Sequence, residues 1–393
     1  MSEIILTDEQ TRALFEIRTW FVDKMQPFWR LKGYAGTGKT SLMKFILQCD
    51  DFRTNKQIGV IAFTHKAASV LRKKGIPDAK TIHSLAYKVE EMPNGDLIFT
   101  RRSKEEMKSL YSFLIVDEAS MVSKAMREDL LSFGIPILFV GDEAQLPPIG
   151  NDPVDKSGKF MAEAESALTE VHRQAKDSPI IRLSMDIRMG RKFGFGKYGD
   201  GVWVIEDDEL TDKLLLQSDQ LIVGKNNTRK AYNRKLRKLK GYAPGNFPAP
   251  GEPMIILENY KELGLFNGLV ITSDEDNNDK SLSDCLGVSH RFLREIDTQP
   301  GHKYPTIVKP YFDGAKNFET VNEERFFLKK GGFVKMDFAY SITCHKSQGS
   351  SYRKPIVIEE CFGDKIFHRR WLYTAVTRAE EKLIVVRDPD GWY

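Results

Sequence analysis

The sequence predicts an α/β protein with a doubly wound parallel sheet in its first third and a second α/β unit further along. Three observations predict it. Apolar runs recur at residues 28–31, 58–63, 113–116 and 137–140, each four to six residues long. That length suits strands buried on both faces, and most of the runs are followed by Gly, Thr or Asp where a loop leaves a strand's carboxyl end. Helix-like stretches alternate with them, which favours parallel pairing. Similar short runs return at 221–223, 339–343, 355–358 and 383–386.

Taken in order, residues 7–25 carry Ala13, Leu14, Ile17, Phe21 and Val22 at helical spacing, with Thr7 as N-cap and Gln10 as its capping-box partner. GYAGTGKT at 33–40 lies between an apolar strand and the helix-like run 41–47. The glycines let the backbone N–H groups of Gly33, Ala35, Gly36, Thr37 and Gly38 curl round an oxyanion at a helix N-terminus. Lys39 then reaches the outer phosphates of ATP or GTP, and Thr40 ligates Mg²⁺. The second requirement of such a site is LIVDE at 114–118. An acid leaving an apolar strand holds magnesium and its neighbour activates water, so Asp117 is assigned to metal and Glu118 to the attacking water. A solvated acidic pair opening a helix would look the same in isolation.

At 87–107 the rhythm breaks, and Pro93, Asn94, Gly95 and Asp96 between extended segments predict a hairpin insertion. Residues 224–241 hold eight Lys or Arg and no acid, with Tyr232, Leu236 and Leu239 at helical spacing. This is an amphipathic helix whose cationic face is either simply solvated or tracks a polyanion. Between 242 and 335 lies a Pro-, Gly- and aromatic-rich stretch with strand-like runs at 254–257, 269–272 and 325–328, read as a β-rich insertion.

Composition sets the outer limits. With 393 residues, 41% hydrophobic and 29% charged, the chain falls outside the disordered and fibrous ranges and has room for two or three domains. A net charge of +4 identifies no partner, but opposite charges are segregated, the acidic stretches being 204–212 and 273–284. No run approaches the roughly 20 apolar residues of a membrane span, and the start resembles no leader, so no membrane role and a cytoplasmic location are expected. Cys49, Cys285, Cys344 and Cys361 lie far apart without a CxxC pair, which supports neither a disulfide framework nor a zinc site.

Nine blocks in order carry a more specific signal: LTDEQ at 6–10, GYAGTGKT at 33–40, IAFTHKAA at 61–68, TIHSL at 81–85, LIVDEASM at 114–121, GDEAQLPPIG at 141–150, LTEVHRQ at 168–174, AYSITCHKSQGSSY at 339–352 and LYTAVTRA at 372–379. The series resembles superfamily 1 DNA helicases, and LTEVHRQ, LGLFNG at 263–268 and the compact length resemble the RecD/Dda branch. Residues 270–335 match least.

The resemblance implies two RecA-like lobes, 1–86 with 108–175 and 176–241 with 336–393. It makes 87–107 a pin at the duplex junction, where Phe99 or Met92 meets the last base pair, although a hairpin covering an apolar edge would read alike. Residues 242–335 become an SH3-like module. The implied activity is ATP- and Mg²⁺-dependent translocation 5′ to 3′ on single-stranded DNA by a monomer, with duplex separation in phage replication or recombination, in the host cytoplasm and alongside replication proteins such as a single-strand binding protein. A translocase with weak unwinding and an RNA motor are the alternatives, and a P-loop kinase would leave Arg378 and the 339–352 block unexplained.

Residue by residue, the resemblance places Gln10 on the adenine edge, Gly349 near the nucleotide, Gln145 on the γ-phosphate or attacking water, and Arg173 and Arg378 as arginines from the second lobe. The donor chemistry suits those roles. DNA contacts fall on Thr64, His65, Thr81, His83, Asn226, Thr343, His345 and Lys346, which bond phosphates without reading sequence. His83 and His345 would equally pass as core histidines.

Overall fold

The computed structural model describes residues 6–388 apart from 24–25, 53, 92–96, 149–151, 172–176, 243–247, 259, 261–262, 264, 266, 275–289, 296–302 and 313–319. The first two apolar runs form strands β1 (Phe28–Gly33) and β2 (Gln57–Ala62), and a short strand that the apolar pattern did not mark follows as β3 (Lys80–Thr81). After the hairpin β4 (Tyr87–Glu91) and β5 (Leu97–Arg101) come β6 (Tyr111–Asp117), β7 (Ile137–Gly141) and β8 (Ser166–Leu168). Six of them make one parallel sheet in the order β3-β2-β6-β7-β1-β8. Alternate residues of each run feed opposite layers, which is why the runs are continuous. Ile115, Leu138 and Val140 join Trp20, Leu42 and Phe52 on one side. Leu114, Val116, Ile137 and Phe139 join Met107, Phe133 and Met161 on the other.

The second unit begins with β9 (Gly196–Gly199), β10 (Val202–Glu206) and β11 (Gln220–Val223). The chain then builds β12 (Pro253–Ile256), β13 (Val270–Ser273), β14 (His290–Glu295), β15 (Lys303–Phe312) and β16 (Phe333–Phe338), and returns as β17 (Ser341–Thr343), β18 (Pro355–Ile358) and β19 (Leu383–Arg387). The lobe's sheet has the order β17-β11-β18-β19-β10-β9, parallel except for the β9 edge. β12 to β16 close into a five-stranded barrel around Met254, Ile271, Phe292 and Met336. The hairpin pairs Tyr87 with Arg101 through Glu91 with Leu97; its turn, with Met92, Asn94 and Gly95, lies outside the described residues.

Two expectations need correction. Residues 325–328 are not a strand but part of a helix, Val321–Gly331, opened by a capping box between Thr320 and Glu323 and closed by Gly332 in the left-handed region. The helix Asn226–Leu239 does not present all its cations to a polyanion. Arg229 is buried against Asp337 at 3.0 Å, and Arg237 makes a two-pronged pair with Glu252 at 2.7 and 2.9 Å. A helix read as a basic surface is thus partly the internal mount of the barrel. Asn233 completes that mount: its amide donates to Phe338 O at 2.7 Å and to Ser341 O at 3.3 Å, and accepts Ser341 N–H at 2.7 Å.

Among the described residues no helix is long and apolar enough to cross a membrane. Cys49, Cys344 and Cys361 are free thiols, and Cys285 lies outside the described residues.

Candidate nucleotide and nucleic-acid sites

The P-loop hangs from the carboxyl end of β1 and feeds the helix Lys39–Gln48, whose N-cap Gly38 sits at φ 80°, where a side chain would be strained. Lys39 Nζ donates to Gly33 O at 2.7 Å and Tyr34 O at 3.0 Å, so the ammonium is held over the loop it serves. Thr37 is buried and its hydroxyl donates to Tyr34 O at 2.9 Å. Gln10 does two jobs here. Its side-chain oxygen accepts Thr7 N–H at 3.0 Å and its own N–H donates to Thr7 Oγ1 at 3.2 Å, which is the capping box. Its amide nitrogen meanwhile donates to Gly38 O at 3.3 Å. The cap therefore also braces the loop.

Asp117 ends β6 beside Glu118, and burial together with the Glu118 charge pushes its carboxyl up to about 6. Asp142, after β7, is likewise pushed up by burial, while Lys39 pulls both acids back down. Glu118 is the only non-glycine at positive φ among the described residues, φ 51°, a strained conformation of the sort that concentrates at working sites. Gln145, on the loop after β7, is 7% exposed, and its side-chain oxygen has no partner among the described residues. A buried amide oxygen left unpaired marks a place for a donor such as water.

The loop with Gln145 is gripped by the second lobe. Leu146 belongs to that lobe's core with Leu183 and Trp371, its N–H donates to Thr374 Oγ1 at 2.9 Å, and Gln348 donates to its carbonyl at 3.4 Å. Tyr373, on the helix Lys365–Val376, accepts Ala35 N–H at 3.1 Å and donates to Asp142 Oδ2 at 2.7 Å. Arg378 is 7% exposed and makes no ion pair among the described residues. Its guanidinium donates to Thr374 O at 3.0 Å, Ser350 O at 3.3 Å and Thr377 Oγ1 at 3.2 Å. A cation buried without a counter-ion is costly unless an anion joins it. Arg173 lies outside the described residues. Gly349, φ 72°, packs so closely on Thr64 and Ala67 that a Cβ there would meet them at 3.1 and 2.8 Å, so the structure places it on the first lobe's helix start.

All eight residues expected on DNA, Thr64, His65, Thr81, His83, Asn226, Thr343, His345 and Lys346, line one cavity of about 1240 Å³ shared by both lobes. Thr64 and Thr81 each cap a helix with the hydroxyl, and Thr343 precedes the short helix Cys344–Ser347. Burial lowers the His345 pKa, so its ring is neutral at neutral pH. The reading from motifs missed Lys66 on the helix His65–Lys73, Tyr87, Lys88 and Arg102 at the hairpin's root, and Asn267 between β12 and β13, which accepts from Lys346. His83 stacks on Tyr87 at 5.7 Å. Basic residues flanking the hairpin signal were the available clue. The Phe99 backbone lies in β5, its side chain outside the described residues.

Residues 6–209 match the AAA domain family and residues 338–386 the UvrD-like helicase C-terminal domain. The chain is 25% identical over 441 residues to the ATP-dependent DNA helicase dda of Enterobacteria phage T4, covering 97% of this chain and 99% of that one. It is 26% identical over 375 residues to the ATP-dependent RecD2 DNA helicase of Deinococcus radiodurans, covering 92% of this chain and 47% of that one. An uncharacterized Methanocaldococcus jannaschii protein, MJ1519, is matched at 26% identity, 91% of this chain covering 36% of it; the chain thus spans half or less of two of these relatives. The solved Pif1 helicase from Bacteroides in complex with ADP-AlF3 and ssDNA superposes with a TM-score of 0.56 at 18% identity, covering 100% of this chain and 94% of that one. With two family matches flanking the barrel and both motif-bearing lobes in place, the chain belongs to the superfamily 1 P-loop DNA helicases of the Pif1/RecD/Dda family.

Proposed function

We propose that the protein is an ATP-driven motor that moves 5′ to 3′ along single-stranded DNA as a monomer and separates duplex ahead of it, in phage replication or recombination. The observation that carries this reading is the convergence of eight residues from both lobes on one cavity. Thr, His and Asn there suit phosphate contacts that read no sequence, as a motor passing every base requires.

The nucleotide reading rests on the P-loop and the acids beside it. Glu118 activates the attacking water, Gln145 orients it, and Arg378, with Arg173, neutralises charge growing on the transferred phosphoryl group. The Asp117 carboxyl, pushed up by burial and by Glu118, together with the Thr40 hydroxyl, is a donor set that fits Mg²⁺, which takes one or two carboxylates plus substrate oxygens. When bound, that ion would supply charge neutralisation at the outer phosphates. Gln10, already committed to its cap and the loop, meets an adenine edge only with donors those bonds leave spare. The hairpin serves as pin and the closed barrel as the SH3-like module beside it.

Movement follows if a triphosphate draws Arg378 of the second lobe inward, with Arg173 beside the lobe boundary in sequence, and hydrolysis releases them. The test is ATP-driven unwinding of two partial duplexes, one with a 5′ tail and one with a 3′ tail. Unwinding from the 5′ tail alone is expected. Unwinding from the 3′ tail alone would overturn the direction, and movement without strand separation on either would leave a bare translocase.

A further inference from the structure

One second-lobe side chain reaches the P-loop without a role in the chemistry described so far. Tyr373 is 1% exposed, its ring packed with Trp371, Leu372 and Val376 in the second lobe's core, so it travels with that lobe. Its hydroxyl leaves that core, accepts Ala35 N–H at 3.1 Å and donates to Asp142 Oδ2 at 2.7 Å. The Ala35 nitrogen shares a peptide unit with the Tyr34 carbonyl, which accepts from Lys39 Nζ at 3.0 Å. Lys39 is the charge that reaches the outer phosphates, so the Tyr373 hydroxyl stands at the outer end of the phosphate cradle.

We propose that Tyr373 is a terminal-phosphate contact supplied by the second lobe: its hydroxyl, resting on Asp142 in this structure, turns its proton to a γ-phosphate oxygen when a nucleoside triphosphate enters. A diphosphate gives it nothing to reach. Two features favour a ligand contact over packing alone. A phenylalanine would fill the core equally well, since the hydroxyl's bonds both lead across the cleft. The Ala35 N–H that it now occupies is also one of the backbone donors a phosphate would take, so an incoming terminal phosphate displaces it from one partner and offers it another. The hydroxyl thereby couples the lobe's position to whether the third phosphate is present.

This inference rests on the nucleotide-site reading, and the experiment separates the two. Calorimetric titration of the full chain with a nonhydrolysable ATP analogue and with ADP, both with Mg²⁺, is compared between wild type and Tyr373→Phe. The variant is expected to bind the analogue about three- to tenfold more weakly, the net worth of exchanging the Asp142 and Ala35 partners for a phosphate oxygen, with ADP affinity unchanged. A merely structural tyrosine would move both affinities together or neither, and an unchanged analogue-to-ADP ratio would overturn the proposal. A wild-type chain that binds neither nucleotide would instead overturn the site reading beneath it.

Discussion

At the scale of single residues, the cavity separates contacts by charge from contacts by hydrogen bonding. Lys346 carries a full charge there, while burial keeps His345 neutral at neutral pH. Lys346→Ala is therefore expected to weaken single-stranded DNA binding and to lower the slope of log affinity against log salt by about 1. His345→Asn should weaken binding with the slope unchanged; equal slope changes in fluorescence titrations would contradict the division. The P-loop and the Asp117 and Glu118 pair were legible because each chemistry demands a fixed spacing. Tyr373 was not, since nothing in LYTAVTRA marks which side chain leaves its own core. The capping roles of Thr64 and Thr81 were likewise hidden, because a hydroxyl that caps and one that faces a cavity belong to the same residue type.

At the scale of elements, the helix Asn226–Leu239 shows how a charge run can mislead. Its cations face two ways, and sequence does not say which are matched by distant acids. Glu252 is fully buried, receives both prongs of Arg237, and accepts the Tyr340 hydroxyl at 3.0 Å. Glu252→Ala strands the Arg237 charge and is expected to destabilise the protein by about 3–5 kcal/mol in chemical denaturation. A loss within about 0.5 kcal/mol, as at an exposed pair, would show that the mount is solvated. Strands covered on both faces were readable as continuous apolar runs. β14 and β15 were not, because a small barrel needs only one apolar face and their runs are mixed with Arg, Lys and Pro. Residues 325–328 misled because four residues, mostly apolar, fit either period; the decisive signals were the flanking Thr320 with Glu323 and the closing Gly332.

For the whole molecule, the first lobe's Gln145 loop is packed into the second lobe's core through Leu146, so the proposed nucleotide site and the lobe proposed to grip DNA meet in one packed contact. Single-stranded DNA is accordingly expected to raise ATP turnover by about tenfold or more, within the range of an ordinary coupling free energy. Equal turnover with and without DNA in a phosphate-release assay would leave the lobes uncoupled. The two-lobe plan was readable from motif order, but the attachment of the barrel was not, since it depends on pairs such as Arg229 with Asp337 that lie far apart in sequence. That attachment has a mechanical meaning. Only Ala339 and Tyr340 separate β16 from β17, and Asn233 bolts both sides of the joint. The barrel is therefore an outrigger fixed to its hull, and in the proposed motor a swing of the second lobe would carry the barrel wall with it rather than leave it behind.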